Sequence, residues 1–305
     1  MENKDNNAVV CFGELLWDVL PTAKRPGGAP MNVAYHLQKL NIHSQLISSI
    51  GNDDLGRSML DFIQRMRLPK DGIQIHGSRP TSEVIATITE ENEVLYDIVY
   101  PVAWDFIGWK PAYDSLLKNS TALVYGSLAS RSEVSAQTLL KMLEYDTFKI
   151  FDVNLRYPHY NPQVIDRLLR AANLLKLNAA ELELISSWYS DHLSDESDRI
   201  NYLFDAFNVE EILITKGAAG ASYYNRTEML NNASYKIQVN DTIGSGDSFL
   251  AAFLSQKLQR QDPATSLEYA VAMGAFITSK PGGCPTYEKA EFEAFLMDQQ
   301  AKLKH

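Results

Sequence analysis

Asn240-Asp241-Thr242-Ile243-Gly244-Ser245-Gly246-Asp247-Ser248-Phe249 is the stretch whose reading decides the fold of this chain. Upstream of it, Tyr235, Ile237 and Val239 alternate with Lys236, Gln238 and Asn240, which predicts a strand. Downstream, Phe249, Leu250, Ala252, Phe253, Leu254 and Leu258 predict a helix with a broad apolar face. Gly244-Ser245-Gly246 then reads as a turn that delivers the chain to a helix N-terminus. Glycines there let the backbone bend tightly and let a ligand come close. The free N–H groups of the first helical turn, with the helix dipole behind them, form an anion site. Asp247 has two readings in that turn. It either complements the dipole, or it faces the bound anion as a general base beside a phosphoryl group.

The rest of the composition bounds what such a turn can serve. At 305 residues with 45% hydrophobic content, the chain can build one large domain with a sizeable core. A formal charge of −10 argues against a nucleic-acid or anionic-membrane partner, so an anionic substrate needs a local basic or amide-lined site. No apolar run reaches the length of a membrane helix. The stretch Met1–Asn7 is polar and acidic rather than a signal peptide, and a cytoplasmic location is expected. Cys11 and Cys284 are too few for a disulfide scaffold or a cysteine-rich metal site. Cys11 reads as core; Cys284, after Gly282-Gly283, reads as buried filler or as a neighbour of a ligand.

From the N-terminus, Val9–Gly13 is a short apolar run of the kind expected for a central parallel strand. Glu14 and Asp18 follow it. Gly27-Gly28-Ala29-Pro30-Met31-Asn32 is a turn cluster, and Val33, Leu37 and Leu40 then give a helix face. Asn32 either caps that helix or joins the glycine backbone in gripping the hydroxyls of a sugar. Leu46–Ile50 reads as a strand ending at Gly51–Gly56, where Asp53 and Asp54 fit a turn and a cap. Between Ser82 and Tyr100 two β-rich runs are joined by Glu90–Glu93 without a helix, which predicts a hairpin and an accessory sheet. The aromatics Tyr96, Tyr100, Trp104 and Phe106 there serve either ordinary packing or a sugar or subunit face.

The remainder alternates. Strands are expected near Ala122–Tyr125, Lys149–Asp152, Leu174–Leu177 and Glu211–Thr215, with helices near Val134–Glu144, Pro162–Ala172, Ala180–Ser187 and Ser197–Phe207. Such alternation implies right-handed crossovers and a parallel sheet covered on both faces. Polar residues follow the strand ends, so one edge collects Asp152, Asn154, Arg156, Glu181, Lys216 and Asp247. There is no Gly-x-x-x-x-Gly-Lys-Ser/Thr, no Gly-x-Gly-x-x-Gly and no Gly-x-Ser-x-Gly.

Asp-Thr-x-Gly-Ser-Gly-Asp (241–247) resembles the C-terminal signature of the ribokinase-like (PfkB) sugar kinases, with Ser245 where the family usually has Ala. Gly-Gly-Ala-Pro-x-Asn-Val-Ala (27–34) is similar to the N-terminal signature, in the form common among fructokinases. Phe151–Arg156, Asn178–Glu181, Thr215–Gly220 and Lys280–Gly283 resemble further family segments. The resemblance implies a three-layer α/β/α domain over residues 1–305. Its central sheet would be mostly parallel, with a small β lid formed mainly by about 82–104 and a short segment near 15–26.

It also implies roles. Asp247 would be the catalytic base, with the amides of Gly244, Ser245 and Gly246 as anion hole and Arg156 in the same cleft. Asp18, Gly27, Gly28, Asn32, Asn154 and Arg156 would bind the sugar. Asn178, Thr215, Lys216, Gly217, Gly220, Gly244, Gly246 and Gly282 would line ATP. Glu181 would hold Mg²⁺ through water, and Asp241 with Ile243 would sit where relatives bind a monovalent cation such as K⁺. The expected reaction is ATP-dependent phosphorylation of a ketohexose, fructose first. 2-Keto-3-deoxygluconate, ribose or a nucleoside are alternative acceptors, and a silent sugar- or nucleotide-binding regulator is the alternative class. Open edges on the lid suggest a homodimer that pairs through it.

Overall fold

A computed structural model describes residues 8–20, 23–88 and 94–303. Its strands, in chain order, are β1 (Val9–Phe12), β2 (Leu16–Leu20), β3 (Ala23–Gly27), β4 (Ser44–Gly51), β5 (Ile73–His76), β6 (Ser82–Ile88) and β7 (Val94–Ile98). Then come β8 (Ala122–Gly126), β9 (Phe148–Asp152), β10 (Leu174–Asn178), β11 (Glu211–Thr215), β12 (Ala221–Asn225) and β13 (Met229–Asn232). The helices are α1 (Ala29–Lys39), α2 (Asp54–Arg65), α3 (Ala112–Lys118), α4 (Glu133–Met142) and α5 (Pro162–Ala171). They continue as α6 (Ala179–Ser187), α7 (Glu196–Phe207), α8 (Ser245–Leu258), α9 (Pro263–Thr278) and α10 (Lys289–Leu303).

The large sheet runs β13-β12-β11-β10-β9-β8-β1-β4-β5. It is parallel from β5 to β11, and the β12–β13 hairpin adds an antiparallel edge. Strands buried on both faces carry unbroken apolar runs, and Val9, Val10, Cys11 and Phe12 are all fully buried. Side chains of β1 alternate between two cores. Val9 and Cys11 pack with residues of α1, α8 and α9 such as Met31, Phe253 and Met273. Val10 and Phe12 pack with Trp104, Leu169 and Leu203 on the other face. This is the expected three-layer α/β/α arrangement.

A second, small sheet runs β3-β2-β6-β7. Its β2–β3 and β6–β7 pairs are antiparallel and its β2–β6 pair is parallel. The Glu90–Glu93 link of the hairpin, Met1–Asn7 and the side chain of Tyr96 lie outside the described residues. Trp104 is fully buried under the Arg131 guanidinium, 4.0 Å from its ring, and Phe106 packs on His76 and Arg79. Tyr100 stays exposed.

One expectation fails, and one of the two readings of Asn32 is excluded. Tyr235–Val239 is not a strand, although Tyr235 is buried. Alternation reports half-burial, not pairing: the segment passes beyond β13 and ends with Asn240 and Asp241 donating to the Thr278 carbonyl at the end of α9. Asn32 is not a cap either. The N-cap of α1 is Gly28, and Asn32 lies inside the helix, its N–H bonded to the Gly28 carbonyl. Asp53, by contrast, does cap α2, accepting from Gly56 N–H at 2.7 Å.

Candidate active site

Gly244 is the N-cap of α8 at φ 74°, so the turn enters the helix through a left-handed residue that favours glycine. A side chain there would also collide with Gly283: an added Cβ would come within 2.5 Å of its Cα. Ser245 donates its N–H to the Thr242 carbonyl at 3.3 Å, whereas the N–H groups of Gly244, Gly246 and Asp247 have no backbone acceptor among the described residues. The amides left to meet an anion are therefore those around Ser245 rather than its own. The Ser245 hydroxyl instead ties the turn to α9, donating to Gly274 O at 3.2 Å.

Asp247 lies in the first turn of α8 and is only 9% exposed. Asn32 Nδ2 donates to its Oδ2 at 2.7 Å, which leaves Oδ1 for a ligand. Burial, reinforced by the Asp152 charge, raises the Asp247 carboxyl to about 6, while Lys176 and Asn32 pull the other way. Freed from capping, the Asn32 amide is held from behind: the Cys284 thiol donates to its Oδ1 at 3.1 Å. The residues flanking Cys284 are anchored to α1 as well. His36 Nε2–H donates to Gly283 O at 2.8 Å, and Tyr35 OH donates to Pro285 O at 2.6 Å.

On the side of the small sheet, the Asp18 carboxylate of β2 lies directly against Gly27, where any Cβ would overlap Asp18 Oδ2. Gly28, at φ 114°, is pressed against the Glu14 carbonyl. Burial raises Asp18 to about 6, with Asp247 adding to it and Arg156 opposing. Glu14 is buried deeper. Its Oε1 accepts the Ala29 N–H at 3.0 Å, and its Oε2 has no hydrogen-bond partner among the described residues. Burial pushes Glu14 up to about 7.

Beneath the glycine turn, Lys176 of β10 donates to both oxygens of Asp152 on β9, at 2.8 and 3.0 Å. Asp152 is thus paired with Lys176 rather than with Arg156, four residues along. Arg156 itself is exposed and near enough to lower Glu14, Asp18 and Asp247. The Lys176 ammonium lies under the glycine turn: a Cβ on Gly246 would come within 2.9 Å of Nζ. Burial works to lower Lys176, but Asp152, Asp247 and Glu181 outweigh it and hold it above the usual lysine range. Asn154, beside Arg156, sits at φ 39° and accepts from Ser127 Oγ at 3.1 Å.

Glu181 and Asn178 form a capping box at the start of α6. Glu181 Oε2 accepts Asn178 N–H at 2.8 Å and Oε1 accepts Leu155 N–H at 2.9 Å. Thr215 ends β11, and Gly217 (φ 56°) and Gly220 (φ 96°) make the tight turn after it. Lys216 does not face the cleft with a free charge: Nζ is paired with Glu196 and Ser222, each at 2.6 Å. Gly282, at φ 75°, closes the far side against Arg25. Asp247, Asn32, Asp18 and Arg156 thus lie close to one another, with Glu181 near Lys176 and Asp152 beside them, and Thr215 pairs with Asn178 in the strand register.

Sequence reasoning passed over Lys176 and Arg25, and gave Glu14 no role. The signal for Lys176 was present, since a lone charge inside Leu174-Leu175-Lys176-Leu177 is costly to bury without a partner. Its partner was invisible, because Lys176 and Asp152 meet only through the register of β10 on β9.

A carboxylate with a raised pKa, helix N-terminal amides and a buried ammonium beneath the same turn are the kinds of group that phosphoryl transfer uses. The chain belongs to the pfkB family of carbohydrate kinases, whose profile matches residues 4–290. It is a phosphotransferase acting on an alcohol group. It is similar to the fructokinase of Solanum tuberosum, 26% identical over 301 residues that span 91% of each chain. Its fold is shared by fructokinase of Xylella fastidiosa with bound ATP, at TM-score 0.86 and 21% identity over 97% of this chain and 99% of that one. It is shared too by a double mutant of Vibrio cholerae O395 fructokinase holding fructose, ADP and a potassium ion. That match has TM-score 0.82 and 21% identity, over 95% of this chain and 98% of the other.

Proposed function

We propose that the chain transfers the γ-phosphoryl group of ATP to a primary hydroxyl of a ketohexose, with D-fructose the first acceptor to test. The observation that carries this reading is the Asp247 carboxylate, buried beside free helix amides with one oxygen bonded to Asn32. The fructose preference draws on the Gly27–Ala34 string and on the fructokinase relatives.

In the proposed reaction the acceptor hydroxyl lies between Asp18, the backbone of Gly27 and Gly28, and Asn32, with Asn154 and Arg156 on the facing wall. Asp247 Oδ1 takes the hydroxyl proton as the oxygen attacks the γ-phosphorus in line and ADP leaves. The amides of Gly244 and Gly246 and the Lys176 ammonium meet the charge on the transferring group. The nucleotide extends past Asn178 along Thr215–Gly217, Gly220 and Gly282. Lys216 serves it only by leaving Glu196.

Glu181 fits a Mg²⁺ held through water, since each of its oxygens already accepts a backbone N–H and retains one free acceptor position. Bound there, Mg²⁺ would neutralise phosphate oxygens. The small sheet acts as a lid over the sugar in this reading, and its open edges β3 and β7 pair in a homodimer.

A coupled ADP-release assay over a panel of sugars tests the acceptor, with fructose expected to give the highest kcat/KM. Asp247→Asn should lower kcat by about 10²–10⁴-fold, the range of a positioned base. Near-normal turnover in that variant would defeat the assignment.

A further inference from the structure

Asp241 lies on the loop that leads into the Gly244 turn. Its Oδ1 accepts the Ile243 N–H at 3.0 Å, while its Oδ2 accepts the Gly282 N–H at 3.0 Å and Arg25 Nη1 at 2.8 Å. Arg25 stands on β3, opposite Asp18 in the β2–β3 register. Its stem crosses Gly282, where a Cβ would come within 3.0 Å of Arg25 Cδ. The pair is mostly covered, with side-chain exposures of 33% for Arg25 and 16% for Asp241. One carboxylate thus gathers the glycine turn, the Gly282 loop and the small sheet, and its counter-charge is already in place.

The monovalent cation expected at Asp241 and Ile243 does not fit this arrangement. The carboxylate of that site is neutralised by a guanidinium, and its Oδ2 is filled by two N–H donors, so a single acceptor position on Oδ1 is left. A second cation beside the guanidinium would be repelled. We propose that Arg25 is the resident cation of this turn, and that the protein works without potassium or any other monovalent ion. A guanidinium supplies directional, charge-assisted hydrogen bonds where a free ion would supply only charge. Because Arg25 is carried by β3, the turn receives its charge only while the small sheet is seated against the large one. This inference rests on the reading of Gly244–Asp247 as the phosphoryl-transfer turn.

The test compares KCl with tetramethylammonium chloride at equal ionic strength, reading both ADP release and the thermal midpoint. The wild-type protein should show rates within about twofold of each other and the same midpoint in the two salts. Arg25→Gln should lose about tenfold or more in rate in tetramethylammonium chloride, and KCl should recover part of that loss and raise its midpoint. Arg25→Lys should retain most of the rate in tetramethylammonium chloride. Several-fold activation of the wild type by KCl overturns the inference. So does a KCl-specific rise in the wild-type midpoint, which can be read even if no sugar in the panel is turned over. Wild-type rates for a folded Arg25→Gln variant in tetramethylammonium chloride overturn it as well.

Discussion

Asp247 can act as a base only if the groups around it keep one oxygen free and the carboxylate ionised. Asn32 supports both through the orientation of its amide, and the Cys284 thiol fixes that orientation. With the amide turned over, its oxygen would face Asp247 Oδ2, acceptor against acceptor, and would favour the protonated acid. Two outcomes are expected from pH–rate profiles. In the wild type, kcat/KM should fall on acidification with a midpoint near the value of about 6 to which burial raises Asp247, because protonation removes the base. Cys284→Val should move that midpoint upward, and Cys284→Ser, which restores a donor, should bring it back. A Val variant with the wild-type profile would show that the thiol does not set the amide. Asp247 and Asn32 were expected as site residues from their strings alone, and the structure bonds them to each other. The Cys284–Asn32 contact spans 252 positions and was not.

At the level of elements, the parallel strands were legible because burial on both faces leaves unbroken apolar runs such as Val9–Phe12. Tyr235–Val239 carried an equally good alternation without pairing: beyond β13 the segment joins no strand, and it ends bonded to the end of α9 instead. The small sheet has the opposite problem. Its order leaves β3 and β7 as open edges, and on β6 Val84 is buried while Ile85 is 40% exposed. Edges of this kind need a cover. Light scattering at micromolar concentration should therefore report a dimer, and Ile85→Lys should shift it toward monomer. A wild-type monomer would remove the proposed pairing through this sheet.

Across the whole molecule, the cleft stores unfavourable burial of acids. Glu14, Asp18 and Asp247 are all raised, to about 7, 6 and 6, with burial the leading cause in each. A raised carboxyl binds its proton more tightly folded than unfolded, so its contribution to stability is complete below the ordinary carboxylate range. It is lost as pH rises through the folded value. The thermal midpoint should accordingly fall between about pH 5 and about pH 8, and Glu14→Gln should flatten that fall. A midpoint that climbs over this window would contradict the burial assigned to the cluster. By itself the sequence determined the layered α/β plan and the glycine turns, and it singled out Asp247 as the proposed base. Those features are written in local periodicity and in residues adjacent along the chain, where backbone sterics and hydrogen-bonding geometry act. Only the tertiary structure decided that Lys176 neutralises Asp152, that Lys216 turns to Glu196, and that Arg25 pairs with Asp241. Charge pairing depends on distance in space, and that distance is set by strand register and by how the two sheets meet.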